Sequence, residues 1–166
     1  MKEVLLDSSS AILLYKAGII ELCYSCYKLF SSQSVYNELV MPKKSGSVKF
    51  KELYRNHFIS IIEVNKSSVP KIPLKGGEHD IIVLKLSGRG DFIIIDDREG
   101  ARFCQKNSLP FINSLLVLKI FYFSEKIDEI NYHKSMSKLL AIGRYAKWVR
   151  DYVRDCTEKE LFNFFP

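Results

Sequence analysis

Two kinds of apolar run alternate along this chain. Val4-Leu5-Leu6 and Phe92-Ile93-Ile94-Ile95 are unbroken, as strands buried on both faces of a parallel sheet are. Leu29-Phe30 and residues 58–64 and 109–112 add shorter strand signals. The stretches between predict helices over 11–16, 19–27, 35–41, 50–55, 78–86 and 98–106, and the pattern is helical from Ser114 onward. Ser8, Ser9 and Ser10 offer caps for the first helix, and Ser32 or Ser34 for the third. Gly18 stops the first, and Gly88 or Gly90 stops the one over 78–86. Residues 42–49 are polar and basic, and residues 65–77 hold Pro70, Pro73 and the pair Gly76-Gly77, so both segments read as loops.

Strands alternating with helices predict an α/β fold, a central parallel sheet with helices on both faces. No internal repeat or linker breaks the pattern. Residues 1–166 are therefore expected to form one domain, helical in its C-terminal part from about residue 125. Residues 145–155 are amphipathic, with Tyr145, Trp148, Val149 and Tyr152 on one side of a helix and Lys147, Arg150 and Arg154 on the other. The closing segment, Leu161-Phe162-Asn163-Phe164-Phe165, is apolar enough to demand docking on the domain or on a partner.

The chain has 166 residues, 47% of them hydrophobic, enough for a real core and too apolar for disorder. A net charge of +6 favours polyanionic partners, nucleic acid first. Cys23, Cys26, Cys104 and Cys156 are too scattered for a disulfide framework. The Cys23–Cys26 spacing lies in an apolar segment without a second pair or histidine cluster, so these read as buried thiols on a core helix. His57, His79 and His133 have no ligand spacing. Asp7 and the three serines after it interrupt the first apolar run, so no signal peptide is expected. No run reaches the ~18 residues of a membrane span. The expected compartment is a reducing cytoplasm.

Acidic residues change the picture most. Ligands of a parallel α/β sheet bind outside the carboxyl ends of its strands. Leu6 runs into Asp7, and Ile95 into Asp96-Asp97; Glu38 lies in the helix after the second strand, and Glu78 and Asp80 open the helix after Gly76-Gly77. Taken singly, each has an ordinary explanation as a cap, a dipole partner or a surface residue. Gathered at one edge, they would repel one another, and a cation offsets that repulsion. An all-carboxylate set suits Mg²⁺ or Mn²⁺ and not zinc. Glu78 and Asp80 point about 200° apart on a regular helix, and adjacent Asp96 and Asp97 also diverge. Both members of a pair cannot face one ion, and periodicity does not choose between them.

The segments around these acids resemble PIN-domain proteins. They are Leu6-Asp7-Ser8-Ser9-Ser10-Ala11-Ile12, Val35-Tyr36-Asn37-Glu38-Leu39, Gly77-Glu78-His79-Asp80-Ile81 and Ile93-Ile94-Ile95-Asp96-Asp97-Arg98-Glu99-Gly100-Ala101-Arg102. The Gly-Glu helix start and the Asp-Asp-Arg turn look like a bacterial and archaeal branch near the VapC-type toxins, and residues 109–115 resemble its next strand and turn. The resemblance covers nearly the whole chain and implies a three-layer α/β/α sandwich. It implies Asp7, Glu38, Glu78 and Asp97 as metal-site acids, with Asp80 and Asp96 in supporting or capping roles. Ser9 and Ser114 match small hydroxyl positions that orient a carboxylate or a water. The chain departs from the family pattern at Asn113-Ser114, where Gly-Thr is more usual, and at the serines after Asp7.

The resemblance implies an Mg²⁺- or Mn²⁺-dependent ribonuclease. RNA would approach over Lys43, Lys44, Lys49, Arg98 and Arg102, with Arg150 and Arg154 as further candidates. The family's habits and the apolar tail add a homodimer or a small antitoxin protein as partner, hence a toxin role. The alternative is an inactive PIN fold that only docks RNA or protein. A receiver domain would need paired acids after the first strand, and a dehalogenase-type phosphatase would need Asp-x-Asp there; Asp7-Ser8-Ser9 meets neither requirement.

Overall fold

The computed structural model describes residues 1–65 and 71–166. Its centre is one all-parallel sheet of five strands in the order β3-β2-β1-β4-β5: β1 is Glu3–Leu6, β2 Lys28–Ser31, β3 Ile59–Ile61, β4 Phe92–Ile94 and β5 Phe111–Ile112. The two unbroken apolar runs are neighbours, with Val4, Leu5 and Leu6 opposite Phe92, Ile93 and Ile94. All six are essentially inaccessible, as strands covered on both faces must be.

Between β1 and β2 lie α1 (Ser8–Ala17) and α2 (Ile20–Cys26); α3 (Gln33–Leu39) and α4 (Ser47–Arg55) lead to β3. The chain then crosses back through α5 (Gly76–Leu86) to β4 and through α6 (Arg98–Lys106) to β5. After β5 come α7 (Ser114–Phe123), α8 (Glu129–Ile142), α9 (Lys147–Asp155) and α10 (Glu158–Leu161), then a single 3₁₀ turn, Phe162–Phe164. Right-handed crossovers put α5 and α6 on one face and α1 and α2 on the other, where α7 and α8 join them. The result is a three-layer α/β/α sandwich. Helix α3 touches both α1 and α5, so it bridges the two layers.

Several expectations shift in detail. Asp7, not one of the three serines, caps α1, and the serines form its first turn. Gly46, in the left-handed region at φ 82°, lets α4 begin inside the expected loop over 42–49. Of the loop expected over 65–77, residues 66–70 lie outside the described residues, and α5 claims Gly76-Gly77. Tyr145 is not part of the amphipathic helix. Ala146 is extended and turns the chain just before α9, and Val149 and Val153 face inward while Trp148 is 71% exposed.

All four cysteines are free and buried. Lys119 is buried too, and its Nζ donates to the Val153 and Arg154 carbonyls (2.5 and 2.8 Å) at the end of α9. No helix among the described residues is long and apolar enough to cross a membrane. The apolar tail docks on its own domain. Leu161 is buried, the Phe164 ring meets Phe92 edge-on at 5.1 Å, and Tyr27 Oη donates to the Phe164 carbonyl at 2.8 Å. Phe162 alone among the tail's large side chains is mostly exposed. Phe164→Ala removes a half-buried ring that braces β4. It should cost about 1–3 kcal/mol in urea unfolding, less than a fully buried Phe; an unchanged midpoint would show that the tail contributes nothing.

Candidate active site

Strands β1 and β4 are adjacent, but α1 leads from one toward β2 and α6 from the other toward β5. A crevice opens where such connections diverge. Asp7 stands at the end of β1 and Asp96-Asp97 just beyond β4. The Asp7 amide still donates to the Ile94 carbonyl at 3.2 Å, which ties this acid to the sheet.

Asp7 is buried, and its Oδ2 accepts from the Ser9 amide at 3.1 Å and from the Ser9 hydroxyl. Glu38 is gripped from both sides: Ser8 Oγ donates to its Oε2 at 2.5 Å and the Gly77 amide to its Oε1 at 2.8 Å. Residue 77 has no room for a side chain, since a Cβ would stand 2.7 Å from Val35 Cγ2 and 3.1 Å from either Glu38 oxygen. Glu78, in the first turn of α5, turns instead toward Asp97 and the Gly100 amide. Gly100 makes that possible, because a Cβ there would collide with Glu78 Oε1 and Ile95 Cδ1. Asp97 caps α6 through Oδ1, which accepts from the amides of Glu99 (2.8 Å) and Gly100 (3.3 Å).

The carboxylates form a row. Asp7 feels the charge of Glu38, and Glu78 feels both Asp7 and Asp97. Burial, with Glu38 adding to it and the Ser9 hydrogen bonds opposing it, pushes the Asp7 carboxyl up to about 6. Burial, the shared hydrogen bond with Asp97 and the charges of Asp97 and Asp7 push Glu78 up to about 8. For Asp97, burial acts upward but is outweighed by hydrogen bonds from Glu78 and the Glu99 and Gly100 amides, so it titrates below its ordinary value. Without a cation, Glu78 therefore carries the proton of this pair at neutral pH.

The donor set is all carboxylate, which suits a hard divalent ion, and Glu78 Oε1 is buried without a hydrogen-bond partner. These residues fit Mg²⁺ or Mn²⁺ in their chemistry. Among the described residues, no three His, Cys, Asp or Glu side chains already have the arrangement to hold an ion. Ser8, Ser9 and Gly77 engage oxygens of Glu38 and Asp7, and Glu78 turns to Asp97, so a cation would have to draw them inward.

A family model for the PIN domain matches residues 3–148. The chain belongs to the PIN-domain family. Members are typically nucleases, and PIN nucleases generally use divalent metals. No curated protein and no solved structure matches significantly.

In this PIN domain the paired acids part company. Asp80 is buried and turned to α3, accepting from Ser34 Oγ at 2.5 Å beside His79 Nδ1 at 3.2 Å. Asp96 is taken up elsewhere, by the Ser114 amide (3.1 Å to Oδ1), Ser114 Oγ (2.5 Å to Oδ2) and Tyr145 Oη (2.7 Å to Oδ1). Ser9 thus orients Asp7, whereas Ser114 orients Asp96 and none of the four acids in the row. Of the basic residues, Arg98 and Arg102 are exposed on α6 next to Asp97, and Lys43 and Lys44 are exposed on their loop. Lys49 pairs with Glu21 at 3.1 Å, near Tyr24 and the C-terminal end of α1. That end of α1 is about 15 Å from Asp7 along the helix. Arg154 is paired with Asp151 and Asp155, leaving it poorly placed to meet phosphate.

The sequence pattern offered Ser8 only as a cap, Gly77 only as a loop and helix-start glycine and Tyr145 only as part of an amphipathic face, and it placed neither these three nor Gly100 at the site. A glycine inside a helical segment is a signal for close approach, and Gly100 carried it. Tyr145 had no such signal, being 49 residues from its partner.

Asp7 and Glu78 both titrate above their unfolded values. Their protonated forms stabilise the metal-free protein at acid pH, and that contribution is lost as pH rises through about 6 and about 8. For Asp7 the shift corresponds to roughly 2–3 kcal/mol; Glu78 is more accessible, so its contribution is smaller than its shift suggests. Asn still caps a helix. In chelator, Asp7→Asn should therefore melt no lower than wild type at pH 5 and several degrees higher at pH 8. A gap that stays constant with pH would contradict a carboxyl at Asp7 pushed up by burial and by its acidic neighbour.

Proposed function

We propose that this PIN domain is a metal-dependent endoribonuclease that cuts RNA phosphodiester bonds at the row Glu38, Asp7, Glu78 and Asp97. The observation that carries this reading is the buried, unpartnered Glu78 Oε1 set between two further acids in a nuclease fold. When bound, Mg²⁺ or Mn²⁺ would lower the pKa of a water and offset charge on the scissile phosphate. The chain supplies the rest. Asp7, Glu38, Glu78 and Asp97 would hold the cation, with Ser9 and Ser8 aiming the first two. Glu78, whose carboxyl burial and its acidic neighbours push up in the metal-free protein, would have to be ionised to serve as a ligand, so cation affinity should rise with pH. Arg98 and Arg102 offer the RNA backbone its first cationic contacts beside Asp97, with Lys43 and Lys44 further out.

A purely docking PIN module would gain nothing from this arrangement. Crowded carboxylates, one of them the buried Asp7, destabilise the fold at neutral pH, and a cation bound for catalysis gives that cost a use. A toxin role, with a small antitoxin or a second copy of the chain as partner, is the finer form of the proposal. The docked tail no longer motivates that pairing. Trp148, Tyr152 and Phe162 do, as large exposed aromatics near the C-terminus. Light scattering is expected to give a dimer mass, and a stable monomer leaves only the antitoxin.

Cleavage of single-stranded RNA should require Mg²⁺ or Mn²⁺ and stop in chelator. Asp7→Asn and Glu78→Gln should each lower the rate by at least a hundredfold, while Asp80→Asn keeps appreciable activity because Asp80 faces Ser34. Full cleavage by Asp7→Asn would sink the assignment. Loss with Asp80→Asn but not with Glu78→Gln would reverse the roles of the two α5 acids.

A further inference from the structure

Among the described residues, Tyr145 is the one side chain from beyond α8 with a hydrogen bond to the acidic turn after β4, and the turn is built to receive it. Its phenol donates to Asp96 Oδ1 at 2.7 Å. The same carboxylate takes the Ser114 amide at 3.1 and 3.2 Å to its two oxygens and Ser114 Oγ at 2.5 Å to Oδ2. Ser114 is fully buried at the start of α7, and Asn113 caps that helix by accepting from the Leu116 amide at 2.9 Å. Asp96 therefore joins three parts of the chain: the end of β4, the start of α7 and the link from α8 to α9.

The seat for the tyrosine ring is close-fitting. A Cβ at Gly143 would collide with Tyr145 Cε2 and stand 2.8 Å from its Cδ2 and 2.9 Å from the Leu139 carbonyl. Gly143 is extended at φ −86° and ψ 145°, so it is the absence of a side chain that matters here. Three residues on, Ala146 is extended as well, and Tyr145 is held between these bends, off any helix. A surface tyrosine left over from an amphipathic helix would need none of this.

The next residue is Asp97. Its carboxylate caps α6 and meets Glu78, so the direction of the peptide between Asp96 and Asp97 decides where it stands. With Asp96 held at both oxygens, that peptide has little freedom. We infer that Tyr145 is a positioning residue: by holding Asp96 it sets Asp97 against Glu78, and so couples the C-terminal helices to the cation site. The inference rests on the ribonuclease reading above. It assigns Tyr145 no contact with RNA or with the ion.

Tyr145→Phe keeps the ring and removes only the hydroxyl; Ser114→Ala removes a different donor to the same carboxylate. Mn²⁺ binding to the intact protein without RNA is measured by calorimetry, beside kcat and KM for single-stranded RNA cleavage and the melting temperature. Both variants are expected to bind Mn²⁺ five- to tenfold more weakly and to lose about tenfold in kcat at saturating Mn²⁺, with KM for RNA within twofold of wild type. The double variant should lose less than the product of the single losses, because both donors act through one carboxylate. A Tyr145→Phe protein that melts lower but binds Mn²⁺ and turns over like wild type, assayed well below its melting temperature, shows a merely structural tyrosine and overturns the inference. If wild type itself neither binds Mn²⁺ nor cleaves RNA, the ribonuclease reading falls first and takes this one with it.

Discussion

Repulsion among carboxylates at the mouth between β1 and β4 is the constraint the rest of this structure serves. Asp7, Glu38, Glu78 and Asp97 arrive from four elements and are held close enough to feel one another. In water they would separate. Here Asp7 cannot, because its backbone is still on the sheet, opposite a β4 whose residues are wholly buried. Two unbroken apolar strands side by side give the site its rigid floor. Moving Asp7 would mean disturbing the core.

The same chain ends that create the crowding also soften it. Helices α1, α5 and α6 all begin at this edge, and each N-terminus brings partial positive charge and unpaired amides. Asp7 and Asp97 are caps as well as members of the row. Capping and site-building are therefore not rival explanations for these residues. A cap engages one or two lone pairs and fixes the carboxylate's direction; the remaining ones are then aimed. Glu78 has the least support, and its carboxyl is the one pushed furthest up.

Glycine decides where backbone can approach an acid. At position 77 it admits α3, so Glu38 reaches the start of α5; at position 100 it admits Glu78 to the start of α6. A methyl group at either point would push apart elements that the row requires together. The C-terminal helices contribute from further off. Lys119 ties the last turn of α9 to α7, and Phe164 closes over Phe92, so this part is packed onto the sheet as a brace behind the site.

Much of this was legible in the residues themselves. Unbroken apolar runs meant central parallel strands, because only a strand covered on both faces tolerates no polar position. Acids directly after those runs had to stand at the carboxyl edge, because the strand sets where the chain emerges. The helix over 98–106 could be placed to the residue, since Asp97 and Lys106 are a good start and finish. Which acid of each pair faces the row was not legible from periodicity. Glu78 and Asp80 both open α5, and only the positions of α3 and α6 on either side of it send one to Ser34 and the other to Asp97. The resemblance had favoured Glu78 and Asp97, but the cause is packing. Tyr145 was read as part of an amphipathic stripe because spacing records period alone; an extended Ala146 and an Asp96 partner 49 residues away lie beyond any local pattern. Sequence by itself determined the layers and the edge at which the acids gather, since burial and capping act within a few residues. Tertiary structure alone decided which carboxylates meet, because that depends on helices brought together from distant parts of the chain.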